Sequence, residues 1–174
     1  MQNFLYKKET FIYQKEQSIP DELCNDIIEI YNYNAVTISG KYNINENMNY
    51  LKIKEFLIKE LNENLVKYYK QINTLKNGNL LYFTQHKIDF YIENNKTISE
   101  NTKKINRFSE NKLKLLMCIW FLNEYDGEIS FWNEYKIQPK AGKLVIFPVS
   151  WCFPYQELIH LQANKYIIYG YVYN

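Results

Sequence analysis

The chain has 174 residues, 47% hydrophobic and 17% aromatic, with 17 Tyr and 10 Phe against five Gly and four Pro. A chain of this make-up can bury enough apolar surface to offset the entropy of ordering, which excludes intrinsic disorder, and its length suits one domain with a sizeable core. The net charge is +2, lysines and acids are interspersed and Arg107 is the sole arginine, so the basic stripe and arginine forks of a nucleic-acid binder are missing. The longest apolar run, Leu115 to Leu122, is of strand length and far short of a membrane span. The opening stretch MQNFLYKKETFIYQKE lacks the apolar segment of a signal peptide. A cytoplasmic protein is therefore expected, with neither nucleic acid nor membrane as partner.

Along the chain, SIPDELCNDIIEIYNY predicts a helix. Ser18 or Asp21 can cap it, acids fill the first turn, and Leu23, Ile27, Ile30 and Tyr31 share a face. A longer helix is predicted over Asn49 to Ile72, where Ile53, Phe56, Leu57, Leu61, Leu65 and Tyr69 follow the helical period and LKNGN, with Gly78, ends it. From there the pattern shortens to extended runs. LLYFTQHKIDFYIE alternates, with Ile88, Phe90 and Ile92 on one side, and NNKTISENTKK reads as a polar loop. KLKLLMCIWFLN is a buried strand, EYDGEISFW and EYKIQP are two strands joined by a tight turn, and KLVIFP and KYIIYGYVY are two more. Helices followed by roughly seven strands predict a mostly β domain whose N-terminal helices pack outside one sheet.

The chemical motifs of common enzyme classes are absent. Among five glycines there is no phosphate-binding or dinucleotide-binding loop, and no Gly-x-Ser-x-Gly elbow. Asp126 and Glu128 flank Gly127 as turn residues rather than as an acid–base pair. Cys24, Cys118 and Cys152 are widely spaced with no Cys-x-x-Cys, which excludes a zinc knuckle or redox pair, and all three are expected to be small buried hydrophobes. His86 and Asp89, three apart, fall on opposite faces of a strand and do not make a metal site.

Several segments in order resemble the prolyl 4-hydroxylase-like branch of the 2-oxoglutarate- and Fe(II)-dependent dioxygenases. They are SIPDELCNDIIEIYN, Leu122-Asn123, Gly127-Glu128, Pro139-Lys140-Ala141-Gly142, Phe147-Pro148 and the closing NKYIIYGYVY. The resemblance implies one domain over residues 1–174, with helical support at 18–76 and a double-stranded β-helix (a jelly-roll, cupin-like core) at 80–174. It also implies a site for Fe(II), held by two His and one carboxylate, and for 2-oxoglutarate.

Those ligand places are filled otherwise in this sequence. By the resemblance, Phe108 stands for the first His, Glu110 for the acid and Tyr155 for the second His, with His160 a fallback ligand. Lys165, ten residues past Tyr155, stands where a Lys or Arg pairs with the distal carboxylate of 2-oxoglutarate, and Tyr91 stands where a hydroxyl can assist. Trp151 lies in the turn and is expected to line the pocket. With both metal-ligand histidines replaced, the expectation is a pseudoenzyme: a dioxygenase-fold protein that needs no cofactor and binds an unknown protein partner or a small acidic molecule through Tyr91, Trp151 and Lys165. The alternative is an active hydroxylase using Fe(II) and 2-oxoglutarate with a non-standard ligand set.

Overall fold

The computed structural model describes residues 11–34, 41–44, 50–72, 88–95, 108–109, 112–159 and 164–173. In chain order the elements are β1 (Tyr13–Lys15), α1 (Asp21–Asn34), β2 (Lys41–Asn43), α2 (Leu51–Gln71), β3 (Ile88–Asn95), β4 (Phe108–Ser109), β5 (Lys112–Phe121), β6 (Gly127–Phe131), β7 (Tyr135–Ile137), β8 (Leu144–Pro148), β9 (Tyr155–Ile159) and β10 (Lys165–Tyr173). The larger sheet runs β1-β8-β5-β10-β3-β2, with β4 paired to β5 beside this path, and the smaller runs β7-β6-β9. Every pairing is antiparallel. This is the expected mostly β architecture, a jelly-roll core flanked by helices.

The central strands are buried on both faces, and the period of two decides which layer each side chain joins. On β5, Leu116, Cys118 and Trp120 enter the core shared with the helices, while Met117, Ile119 and Phe121 enter the core between the sheets. β8 divides Leu144 and Ile146 from Val145 and Phe147, and β10 divides Ile168 and Val172 from Ile167 and Tyr169, in the same way. The helices close the outer face of the larger sheet. Cys24, Ile27 and Tyr31 of α1 and Ile53, Leu57, Leu61, Leu65 and Tyr68 of α2 lie in that outer core. The predicted α2 stripe is rotated slightly: Phe56 and Tyr69 only pack against the core, and Asn64 and Tyr68 are fully buried.

Two expectations need correction. The helices do not precede all the strands, because β1 and β2 lie ahead of and between them. Each has three residues, too few to display an alternation. Of the three cysteines, Cys24 and Cys118 are buried but Cys152 is exposed, because it sits in the turn between β8 and β9.

Two devices pin the N-terminal segment to the sheet. Gly142 has φ 76°, its amide bonds to Phe121 O, and its carbonyl accepts from Ser18 N (2.8 Å) and Ile19 N (3.1 Å). A Cβ there would run into the Ile19 carbonyl, so only glycine suits both the left-handed conformation and the close approach. The second device centres on Glu60 of α2, whose carboxylate accepts from Lys15, from Ser18 Oγ (2.8 Å) and from Asn64 Nδ2 (2.8 Å). Trp120 Nε1 donates to Ser18 Oγ (3.0 Å), so a strand of the larger sheet joins the same network. Burial alone would raise the Glu60 carboxyl, but the hydrogen bonds from Lys15, Ser18 and Asn64 hold it below its ordinary value of 4.5.

A carboxyl lowered on folding adds stability above its unfolded value, and that stability is lost as pH falls through the folded one. Glu60→Gln is therefore expected to cost about 1–3 kcal/mol at neutral pH in urea unfolding, with the gap from wild type closing as pH drops below about 4. Gly142→Ala should cost roughly 1–3 kcal/mol from backbone strain alone, at any pH.

Candidate binding site

Lys165 opens β10 and faces the space between the sheets. Its side chain has 0% exposure. The head of β10 is fixed by Asn123, just after β5: Asn123 Nδ2 donates to Asn164 O (2.6 Å), and its Oδ1 accepts from Tyr166 N (2.8 Å). Leu122 N adds a bond to Tyr166 O (2.9 Å). The Leu-Asn pair that carried part of the resemblance is thus a clamp that sets the position of the lysine.

A buried ammonium must be met by anions or strong acceptors. Lys165 Nζ lies 2.8 Å from Glu157 Oε1, on β9 of the smaller sheet, and 3.2 Å from Glu93 Oε1, on β3 of the larger one. Tyr125 donates its hydroxyl to the same Glu157 oxygen at 3.3 Å. That contact and burial together push the Tyr125 phenol far above its ordinary range, burial being the larger cause. The cluster spans both sheets.

Around it stands a wall of tyrosines. Tyr91 of β3 and Tyr169 of β10 are register partners with stacked rings 5.5 Å apart. Tyr155, the first residue of β9, is 4% exposed and packs against Phe147 (5.2 Å) and Phe131 (6.1 Å). Its phenol is raised well above the ordinary value of 10.0, first by burial and then by the fields of Tyr171, Glu157, Glu93 and Tyr169. Tyr169 is raised by burial and by Glu93, and Tyr171 is pushed up to about 12 by burial and its neighbours. At neutral pH this wall is made of uncharged phenols.

The predicted site residues separate into three groups. Tyr91, Tyr155 and Lys165 are drawn to one region between the sheets. Trp151 is 82% exposed in the turn after β8 and lines no buried pocket wall. Phe108 lies in β4, against Leu113 of β5, with its side chain outside the described residues, as are Glu110, His86 and His160. The sequence reading missed Glu93, Glu157 and Tyr125. Two of them were within reach of strand parity: Glu157 shares a face with Tyr155, and Glu93 with Tyr91, each two residues on.

The order and pairing of these strands invite comparison with solved structures. No protein-family model and no curated protein matches the chain. A viral collagen prolyl hydroxylase from Paramecium bursaria Chlorella virus-1, solved as its 2-oxoglutarate complex, matches 94% of this chain and 95% of its own with a TM-score of 0.69 at 13% identity. The chain has the prolyl 4-hydroxylase fold. A Pseudomonas putida prolyl-4-hydroxylase matches 93% of this chain and 91% of its own (TM-score 0.63, 13% identity). A Trichoplax adhaerens prolyl hydroxylase, solved with a hypoxia inducible factor oxygen degradation domain peptide fragment, matches 94% and 84% (TM-score 0.61, 14% identity).

The donors described in this prolyl 4-hydroxylase fold do not suit the cofactors that the fold brings to mind. Among the described residues no three His, Cys, Asp or Glu side chains gather as metal ligands. A neutral phenol such as Tyr155 is a poor donor to a ferrous ion, which favours imidazole and carboxylate. The fully buried ammonium of Lys165 already holds two carboxylates.

Two results are expected from this geometry. Lys165→Met strips the cation from two buried carboxylates and should cost about 3–5 kcal/mol in denaturant unfolding. Phenols raised on folding contribute stability below their unfolded value and lose it as pH rises through the folded one. Thermal stability should therefore fall steeply above about pH 10, with a spectrophotometric titration showing a late-ionising class of tyrosines that becomes ordinary in denaturant.

Proposed function

We propose that this chain is a dioxygenase-fold protein without iron-dependent catalysis that acts by binding a partner. The observation that carries the reading is the state of Tyr155. By the resemblance it stands at the place of iron's last histidine, and it is a buried, neutral phenol packed against the rings of Phe131 and Phe147. By the same resemblance Phe108 stands at the place of the first histidine, and a phenylalanine ring has no donor atom for a metal. With Phe108 and Tyr155 at the two histidine places, those places offer a ferrous ion no imidazole.

The binding role is assigned to the outside of the turn between β8 and β9. Trp151 projects into solvent there, beside Phe153, whose ring packs on Trp132 at 5.2 Å. Trp132 occupies a left-handed turn position (φ 54°) that disfavours bulky side chains, and its indole is held by a bond from Nε1 to Cys152 O at 2.8 Å. An exposed tryptophan on a braced turn is the kind of anchor that protein interfaces use.

The test is an anaerobic calorimetric titration of the full chain with Fe(II), with and without 2-oxoglutarate, followed by an aerobic assay for succinate. No saturable iron binding and no succinate above the protein-free blank are expected. A micromolar iron site, or succinate release that depends on the protein, overturns the reading in favour of an active hydroxylase with a non-standard ligand set. Trp151→Ala should change stability by less than about 0.5 kcal/mol, as for a side chain that the fold does not use.

A further inference from the structure

Lys165 and Tyr125 together form a receptor for one carboxylate. Their donors come from separate places, the head of β10 and the segment between β5 and β6, and converge on a single oxygen, Glu157 Oε1, at 2.8 and 3.3 Å. The chain segments that carry the two donors are also held by contacts that do not involve Glu157. Lys165 is set by the Asn123 clamp, and the Tyr125 ring packs on Phe121 at 6.1 Å. The carboxylate, by contrast, arrives from the other sheet. β9 pairs only with β6 among the described strands, and Glu157 stands opposite Ile129 in that register.

From this we infer that Glu157 is a tethered ligand: the chain's own carboxylate occupies a carboxylate-binding site between the sheets and closes it to free small acids such as 2-oxoglutarate. An incoming carboxylate would have to displace a side chain that is already at its partner, at very high effective concentration, and would then lie beside two buried glutamates. Glu93, the second carboxylate on Lys165 at 3.2 Å, adds to that repulsion. The inference sharpens the non-catalytic reading above by naming what fills the site. It concerns a metal-free equilibrium, so it can fail while that reading stands.

The experiment follows carboxylate binding without metal, using 2-oxoglutarate and acetate as probes. Wild type labelled with 15N-lysine should show a Lys165 Nζ resonance that exchanges slowly with water and does not move at millimolar 2-oxoglutarate. Glu157→Ala should melt lower than wild type and be restored by acetate in a saturable manner, beyond the effect of equal chloride. The restoration should vanish in Glu157→Ala combined with Lys165→Met. Movement of the Lys165 resonance in wild type, or a Glu157→Ala protein that folds yet ignores acetate, overturns the inference. If Glu157→Ala does not fold, the wild-type titration decides alone: a fixed resonance supports the tethered carboxylate, and a shifted one refutes it.

Discussion

An ammonium group shut away from water sets the terms for the space between the two sheets. Leaving Lys165 uncompensated there would cost several kcal/mol, so its position obliges the chain to supply anions, and two arrive from different sheets. One consequence is geometric: Glu93 and Glu157 must hold their strands at a separation that keeps both near one nitrogen. Another is chemical, because a cation already coordinated by two carboxylates is a weak attractor for a third. The surrounding phenols follow the same logic. With negative charge at Glu93 and Glu157, ionising Tyr155 or Tyr169 becomes harder still, and the wall remains neutral.

The same layer depends on the larger sheet being buried twice over. β5, β8 and β10 send alternate side chains to the helices and to the smaller sheet, so no face of these strands is left to carry an exposed site. Glycine at 142 lets the segment before α1 approach the sheet, and Glu60 ties that segment to α2 and, through Ser18, to Trp120. The helices therefore brace the outer face while the small sheet covers the inner one. Variation in function is pushed to what remains outside, chiefly the turns that join the strands.

The architecture was largely legible because long periodic segments report burial directly. α2 and the buried run of β5 were placed within a residue or two, and the hairpin of β6 and β7 was read from its turn. The tight turn itself was less readable, since Trp132 and Asn133 both take positive φ and a tryptophan gives no hint of that. The three-residue strands β1 and β2 carried no pattern to read. Between the sheets, resemblance to motifs singles out Tyr91, Tyr155 and Lys165, whereas Glu93 and Glu157 carry no motif. They matter because strands distant in sequence fold them onto one nitrogen, a relation that spacing along the chain does not encode. Trp151 was assigned to a pocket for being aromatic and near a turn, but the turn carries it outward.

A buried ion cluster is weak grounds for arguing stability, since an apolar substitute of similar volume often serves as well. Its stronger effect here is on specificity. An apolar plug between the sheets would be indifferent to what enters, but a lysine bracketed by two glutamates and a phenol accepts only a partner that reproduces the same charges and hydrogen bonds. Because Glu157 is covalently part of β9, it loses little freedom on reaching Lys165, while a free acid must give up its translational freedom and its water. The buried lysine is thus satisfied from within the fold, with β9 of the smaller sheet supplying one of its two carboxylates.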